Sequence, residues 1–221
     1  MTAARGPHVL AYADGEFMLA YGSRNGPQLL VLQPLFEEMN RCRAMIAGLC
    51  RALAGRGVGC WLPDLPGTGE SLRALDTVAW ADWLAAVEAA VATARDATGI
   101  APAVLAIRGG ALLDDRAGSR RLRLAPTTGR SLLSDLRRSA LASGGDPAHP
   151  AGYTVPPALA EALGAATPSV EGDIRTLRLA SDDRPADHRI EGTPLWRRPE
   201  PTTDRDMEFV LASEISSWAM A

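Results

Sequence analysis

The chain has 221 residues, a length that suits one α/β domain able to bury a sizeable core. Its formal net charge of −3 provides no basic field for holding a phosphate backbone, so we expect no nucleic-acid partner. All 23 basic residues are arginine, which excludes mechanisms that need a lysine amine, such as Schiff-base chemistry and a P-loop phosphate clamp.

The first half of the sequence predicts strands that alternate with one-faced helices, because short apolar runs are followed by apolar residues at helical spacing. The elements predicted in chain order are strands at 9–13 and 17–21 around the turn Asp14-Gly15, a strand at 28–33, a helix capped by Asn40 and ended by Gly55 and Gly57, a strand at 58–62 and a helix from Trp80.

The second half continues the alternation, which predicts βαβ units and a mainly parallel sheet with helices on both faces. Its predicted elements are a strand at 104–107, a short helix at 109–115, a strand at 122–124, a helix at 131–141, strands at 174–180 and 192–196, and a closing amphipathic helix marked by Met207, Val210, Leu211, Ile215 and Trp218. The strand at 122–124 is unexpected in one respect, because Arg121 and Arg123 make it more basic than a central strand should be.

Residues 142–169 lack a long element, because Gly144-Gly145, Pro147, Pro150, Pro156 and Pro157 interrupt them. We expect residues 1–221 to form a single domain in which this stretch is either a reduced cap over the site or an exposed connector.

Three cysteines, Cys42, Cys50 and Cys60, lie within apolar segments and are odd in number, which predicts buried reduced thiols. There is no C-x-x-C motif or His/Cys cluster, so we expect neither a metal site nor a cofactor.

Residues 1–6 lack the apolar run of a signal peptide, and no stretch of roughly 20 uninterrupted apolar residues could span a membrane. We therefore expect a cytoplasmic protein.

Three blocks of sequence stand out: Pro-Leu-Phe-Glu-Glu-Met-Asn-Arg-Cys-Arg at 34–43, Pro-Asp-Leu-Pro-Gly-Thr-Gly-Glu-Ser at 63–71, and Ile-Arg-Gly-Gly-Ala-Leu-Leu at 107–113. In identity and spacing they resemble the bacterial α/β-hydrolase-like proteins called exosortase A system-associated hydrolase 2, over about residues 28–141. The resemblance implies an α/β-hydrolase-like fold and a role in exopolysaccharide production with PEP-CTERM protein sorting. It also implies that arginine at 108 is a trait of the family.

An α/β-hydrolase places its serine in a G-x-S-x-G turn between a strand and a helix, where this sequence has Arg108. Arginine cannot serve as a nucleophile and stays protonated in proteins. The loop expected to hold the catalytic histidine, residues 194–198, contains no histidine, whereas Asp182 and Asp183 occupy a plausible acid position. The sequence therefore does not predict the usual Ser-His-Asp triad.

Other candidates for catalysis are weaker. Among the histidines His8, His149 and His188, only His188 is near the expected end of the fold, and isolated loop histidines are usually just solvated. Ser131 follows half of an elbow motif but is better explained as a helix start. Ser71 ends a D-x-x-G-x-G-x-S loop that usually shapes a turn.

A cluster of charged and polar residues is the more specific candidate for a functional site. Glu37, Glu38, Asn40 and Arg41 follow the strand at 28–33, and Arg108 is expected opposite them. These groups either bind a ligand or form a structural ion pair that closes a vestigial pocket. A carboxylate paired to arginine is a weak general base, because the pairing lowers its pKa.

Tryptophans suggest a carbohydrate platform, but Trp80, Trp83 and Trp218 lie on apolar helix faces and are better explained as core. Trp196 is the one credible platform, so the predicted ligand-binding residues are Glu37, Glu38, Asn40, Arg108 and Trp196.

Three functions stay open: an accessory that binds a small or acyl-bearing ligand, a catalytically silent scaffold for a protein partner of the exopolysaccharide system, and an esterase or acyl transferase with an unusual nucleophile.

Overall fold

The computed structural model describes residues 6–142, 144 and 150–221. Eight strands are found within them: β1 (His8–Ala13), β2 (Glu16–Tyr21), β3 (Gln28–Leu32), β4 (Gly59–Pro63), β5 (Ala103–Ile107), β6 (Arg120–Leu124), β7 (Asp173–Leu179) and β8 (His188–Ile190). The α-helices of these residues are α1 (Glu37–Ala54), α2 (Trp80–Thr98), α3 (Gly129–Ala142), α4 (Pro157–Ala165) and α5 (Arg205–Met220). Short 3-10 helices lie at Leu75–Thr77, Arg108–Leu112, Asp114–Arg116, Pro150–Gly152 and Leu195–Arg197.

The strands form one sheet in the order β1-β2-β4-β3-β5-β6-β7-β8. Strand β2 runs antiparallel to β1 and β4, and the other neighbouring strands are parallel. The predicted mainly parallel sheet is therefore confirmed. Strands β3 and β4 are buried along their whole length, as expected for parallel strands covered on both faces.

Helices cover both faces of the sheet, which confirms the predicted layers. Helices α1 and α5 pack on one face and α2, α3 and α4 on the other. The three cysteines are free and buried, in agreement with the prediction from their apolar settings. No helix within the described part of the chain is long and apolar enough to cross a bilayer.

Three predicted boundaries are wrong. Helix α1 begins at Glu37, so Asn40 lies inside it and does not cap it, because Phe36 at φ 55° has already turned the chain. The predicted helix at 109–115 is two short 3-10 helices. The last strand is His188–Ile190 and not 192–196, because Gly192 at φ 155° and Pro194 interrupt pairing.

Basic residues on β6 are explained by a carboxylate beneath them. Asp114 is fully buried, and its Oδ2 accepts a hydrogen bond of 2.6 Å from Nε of Arg123. Its Oδ1 accepts from Nη2 of Arg123 at 2.8 Å and from Nη1 of Arg121 at 3.1 Å. Two arginines can therefore lie inside this sheet because the neighbouring 3-10 helix supplies the negative charge.

The stretch after α3 packs back onto the domain where it is described. Leu159 and Leu163 of α4 are buried in the cluster formed by α2 and α3. Residues 1–5, 143 and 145–149, including Gly145, Pro147 and His149 from the sequence analysis, lie outside the described residues. Whether 142–169 serve as a cap or as a connector stays a prediction.

Candidate functional site

The loops that follow β3, β5, β7 and β8 meet at one edge of the sheet. These strands are mutually parallel, so their carboxyl ends lie at the same edge, where α/β proteins usually bind ligands. The loops and the helix starts that follow these strands carry the sequence-predicted residues Glu38, Arg108, Asp182 and Trp196.

Arg108 directly follows β5 with φ at 53°, a left-handed conformation that is uncommon for residues other than glycine. Gly110 makes this turn feasible, because a Cβ there would lie 2.3 Å from the carbonyl oxygen of Leu32. The turn therefore packs directly against β3 and directs the Arg108 side chain into the protein, where only 3% of the residue is exposed.

The guanidinium of Arg108 is held by the carboxylate of Glu38. Its Nη2 donates to Oε1 at 2.8 Å, and its Nε lies 3.1 Å from Oε2 and 3.3 Å from Oε1. Its Nη1 donates to the carbonyl oxygen of Ala125 at 3.1 Å. Both side chains are buried, so the structure brings these two predicted residues together as a sealed ion pair.

Glu38 is positioned by the start of α1. It lies in the first turn of the helix, where the helix dipole favours a negative charge. The residue before α1 is Phe36. Its ring contacts the rings of Trp83 and Tyr153, with distances between centroids of 5.9 Å and 5.5 Å. Aromatic packing thus fixes the point from which Glu38 reaches Arg108.

Trp196 covers the other side of Arg108. The guanidinium carbon lies 5.1 Å from the centroid of the Trp196 ring, within cation–π distance. Only 5% of Trp196 is exposed, and its carbonyl oxygen accepts a hydrogen bond of 3.2 Å from Nη1 of Arg41. Its ring is therefore part of the seal over Arg108, and the predicted role as a sugar platform stays a prediction.

Glu37 and Asn40 lie at the outer rim. Glu37 Oε1 is 3.5 Å from Nε of Arg41, and Asn40 Nδ2 donates to the Tyr153 hydroxyl at 3.0 Å. Burial raises the pKa of Tyr153, and the nearby charge of Glu37 raises it further. Neither Glu37 nor Asn40 takes part in the hydrogen bonds of Arg108, so the predicted cluster divides into a sealed pair and a polar rim.

Asp182, at the predicted acid position after β7, is bound by two arginines. Arg184 donates to both carboxylate oxygens, at 2.9 and 2.7 Å, and Arg178 donates to Oδ2 at 3.0 Å. The hydrogen bonds from Arg184 hold the pKa of Asp182 well below its usual range, with a smaller contribution from Arg178. Its neighbour Asp183 is exposed.

We expect Asp182→Asn to lower the free energy of unfolding by about 1–2 kcal/mol at neutral pH. Because the folded pKa is depressed, this stabilisation is present above the unfolded value of about 3.9 and is lost as the pH falls below it. Urea denaturation of both proteins between pH 7 and pH 3 should therefore give a difference that shrinks on acidification. The exposed Asp183→Asn is the matched control, and an equal loss there would contradict the prediction.

Two adjoining pockets open beside the sealed pair. The first has a volume of about 370 Å³ and takes its apolar wall from Leu35, Phe36, Leu132, Leu136 and Trp196. The second, of about 490 Å³, is mainly polar and lies between the start of α3 and the loops after β7 and β8. Both pockets are lined by Asp135, Arg138, Trp196 and Arg197, so they adjoin along one wall, and we refer to the two together as the groove.

The remaining predicted candidates lie elsewhere or have structural partners. His188 begins β8 with Nε2 3.9 Å from Oε1 of Glu214, His8 is exposed at the edge of the sheet, and His149 lies outside the described residues. Ser71 donates to Glu16 at 3.0 Å and accepts from the N–H of Gly67, as a turn residue does.

Two residues of the site were not singled out in the sequence. Asp135 of α3 lies 4.0 Å from Arg108, and Tyr153 contacts the start of α1. No local pattern distinguishes Asp135 from other helix-surface aspartates, and Tyr153 is 113 residues from its partner Asn40. Only the folded chain brings them next to the residues predicted from the sequence.

Solved structures with a similar fold include esterases and a lipase. A soluble variant of monoglyceride lipase from Saccharomyces cerevisiae matches with a TM-score of 0.60 and 13% identity, over 99% of this chain and 96% of the lipase. Est1E from Butyrivibrio proteoclasticus matches with a TM-score of 0.58 and 12% identity, over 97% of both chains. A hyperthermophilic esterase from Pyrobaculum calidifontis matches with a TM-score of 0.54 and 12% identity, over 99% of this chain and 86% of the esterase.

No protein-family model and no curated protein sequence matches the chain. At these identities the similarities establish the fold alone. The chain has the α/β-hydrolase fold predicted from the sequence, with the same mainly parallel sheet and flanking helices.

Proposed function

We propose that this α/β-hydrolase-fold protein binds a small or acyl-bearing ligand without hydrolysing it, as a cytoplasmic accessory of a bacterial exosortase and exopolysaccharide system. The sealed pair of Arg108 and Glu38 carries the proposal. Arg108 stands after β5, where a hydrolase of this fold presents its nucleophile, and it has no nucleophilic atom to offer.

The groups that would assist a nucleophile are also engaged. Glu38 accepts from two nitrogens of Arg108, so its carboxylate is not free to activate a water molecule. Asp182, at the acid position, is bound to Arg178 and Arg184. Trp196 occupies the loop after β8 where the histidine of a triad belongs.

The groove above the pair supports ligand binding. Its first pocket, of about 370 Å³, is within the size range of small-molecule sites and offers an apolar wall to an acyl chain. Leu132 and Leu136 of α3 line it together with Leu35 and Phe36, and the buried Glu38 also borders it. In this proposal the sealed pair closes the floor of the groove, and the rim residues Glu37 and Asn40 border the ligand.

The biological setting is supported by the sequence blocks shared with the exosortase-associated hydrolases. Residues 34–43 contain Glu38 and residues 107–113 contain Arg108, so the blocks that carry the resemblance also build the pair. Three buried free cysteines suit a reducing compartment. We further propose that residues 1–221 form one domain with 142–169 as a reduced cap, which the contact between Tyr153 and Phe36 supports.

Purified protein should not react with a fluorophosphonate probe and should hydrolyse p-nitrophenyl esters no faster than a buffer blank, because Arg108 replaces the nucleophile. An active serine esterase run in parallel serves as the positive control. Intact-mass measurement detects labelling, and peptide mapping locates it. Stoichiometric labelling of any serine, Ser71 or Ser131 included, would refute the proposal and favour an esterase or acyl transferase with an unusual nucleophile.

A further inference from the structure

The second pocket has more positive than negative charge in its walls. Five arginines and three aspartates line it: Arg108, Arg130, Arg138, Arg184 and Arg197, with Asp135, Asp182 and Asp183. Three of these arginines are bonded to carboxylates: Arg108 to Glu38, Arg138 to Asp135 and Arg184 to Asp182. Arg130 and Arg197 have no ion-pair partner in the part of the chain that the structure describes.

The aspartates of the second pocket do not balance the positive charge of its arginines. Asp182 bonds Arg178 as well as Arg184, so one carboxylate faces two guanidinium groups. Of the three lining aspartates, only Asp183 is left to offset Arg130 and Arg197, and it is exposed. An anion that enters this pocket would therefore meet a net positive field.

A hydroxyl group just before α3 adds a donor to the same pocket. Thr127, which is 4% exposed, lines the pocket, and its hydroxyl has no hydrogen-bond partner among the described residues. Thr128 and Ser131 complete the first turn, where the N–H of Ser131 donates to Oγ1 of Thr128 at 3.2 Å. The N–H of Gly129 donates to the carbonyl oxygen of Ala166 at 3.0 Å. What this 14-residue helix offers an anion is therefore the partial positive charge of its N-terminus.

We infer that this pocket binds the phosphate group of a small phosphorylated ligand, held by Arg130, Arg197 and the Thr127 hydroxyl beside the partial positive charge of the α3 N-terminus. Arginine suits phosphate because its planar guanidinium donates two parallel hydrogen bonds. The inference rests on the proposed ligand-binding function and names the chemistry of one end of the ligand. An apolar remainder of the ligand would extend past Trp196 into the first pocket, which shares that wall.

Calorimetric titration of the full chain with inorganic phosphate tests this inference, at fixed ionic strength maintained with chloride. Arg130→Gln and Arg197→Gln should each weaken phosphate binding by about tenfold or more, because each removes a charged hydrogen-bond donor. Arg137→Gln is the matched control, since this exposed arginine lies on the same helix but does not line the pocket. Acetate titrated in the same way should bind more weakly than phosphate.

Wild-type affinity in either Arg130→Gln or Arg197→Gln would overturn the site, as would an equal loss in Arg137→Gln. Acetate binding as tight as phosphate binding would overturn the phosphate assignment. Failure here is distinguishable from failure of the proposed function, because the prediction on ester hydrolysis and serine labelling rests on Arg108 and not on Arg130 or Arg197. If the protein does not bind phosphate and no serine is labelled, the inferred phosphate site is wrong and the proposed function stands. If a serine is labelled and phosphate still binds, the proposed non-catalytic function is wrong and the phosphate site stands.

Discussion

Replacement of Arg108 alone by methionine should lower the free energy of unfolding by about 3–5 kcal/mol. The substitution leaves the Glu38 carboxylate in a site where its side chain is 9% exposed, without the guanidinium that now compensates its charge. Taking a charged group out of water without a partner is costly, and that desolvation is the source of the loss.

The double variant Glu38→Met/Arg108→Met should recover most of this loss. A desolvated ion pair is often no more stabilising than well-packed apolar residues of similar size, so removing both charges removes the penalty. Arg116→Met supplies the control, because its pair with Glu88 is about half exposed on both sides and should cost under about 1 kcal/mol. Chemical denaturation of all variants gives the comparison.

Two outcomes would contradict the sealed pair. A cost under about 1 kcal/mol for Arg108→Met would mean an open, wet pocket in which the arginine is free to meet a ligand. A large loss that the double variant does not relieve would mean that the volume of the arginine, under the Trp196 ring, matters more than its charge. A large cost that the double variant relieves is expected from the geometry, and it would also be compatible with a catalytically silent scaffold.

The strands of the sheet could be predicted from the sequence because their signal is local. Continuous apolar runs at 28–33 and 104–107 correspond to β3 and β5, which are buried on both faces and need no polar alternation. The parallel orientation of the strands follows from their alternation with helices, since parallel neighbours require a crossover between them. The loops at the carboxyl ends of β3 and β5 could therefore be expected to face each other, and Glu38 and Arg108 do so.

Contacts that join distant parts of the chain could not be predicted in this way. The bond between Asn40 and Tyr153 spans 113 residues, and periodicity within α1 carries no information about it. The contact between Trp196 and Arg108 could not be predicted for a related reason, because a single aromatic in a loop does not reveal whether its ring faces solvent or an arginine 88 residues earlier in the chain. The predicted strand at 192–196 is wrong because it contains Gly192 and Pro194, which interrupt strand pairing.

The basic strand β6 has a sequence pattern that is explained only by the buried carboxylate of Asp114, to which its arginines bond. Arg121 and Arg123 contradict the expected apolar pattern of a central strand, and the sequence also contains the acidic pair Asp114-Asp115 just before it. The chain turns through the 3-10 helix Asp114–Arg116. This turn places Asp114 under the strand and leaves Asp115 exposed. Local reasoning identifies both features but cannot tell which acid is buried.

Asp114→Asn should therefore be strongly destabilising, by about 3–5 kcal/mol or more, while Asp115→Asn should change stability by no more than about 0.5 kcal/mol. The amide keeps the shape of the side chain but removes the negative charge that faces two buried guanidinium groups. It also turns one acceptor oxygen into a donor that opposes the donors of Arg121 or Arg123.

The triple variant Asp114→Leu/Arg121→Met/Arg123→Met separates charge from packing. It should recover most of the stability lost in Asp114→Asn, because no charge is left in the interior and buried ionic triads can be replaced by apolar residues without net loss. Denaturant midpoints and slopes for the four proteins provide the measurement. Equal losses in Asp114→Asn and Asp115→Asn would show that Asp114 is not the buried partner of β6. A triple variant as unstable as Asp114→Asn would show that the arginine stems fill space that methionine cannot, and that charge compensation is the smaller effect.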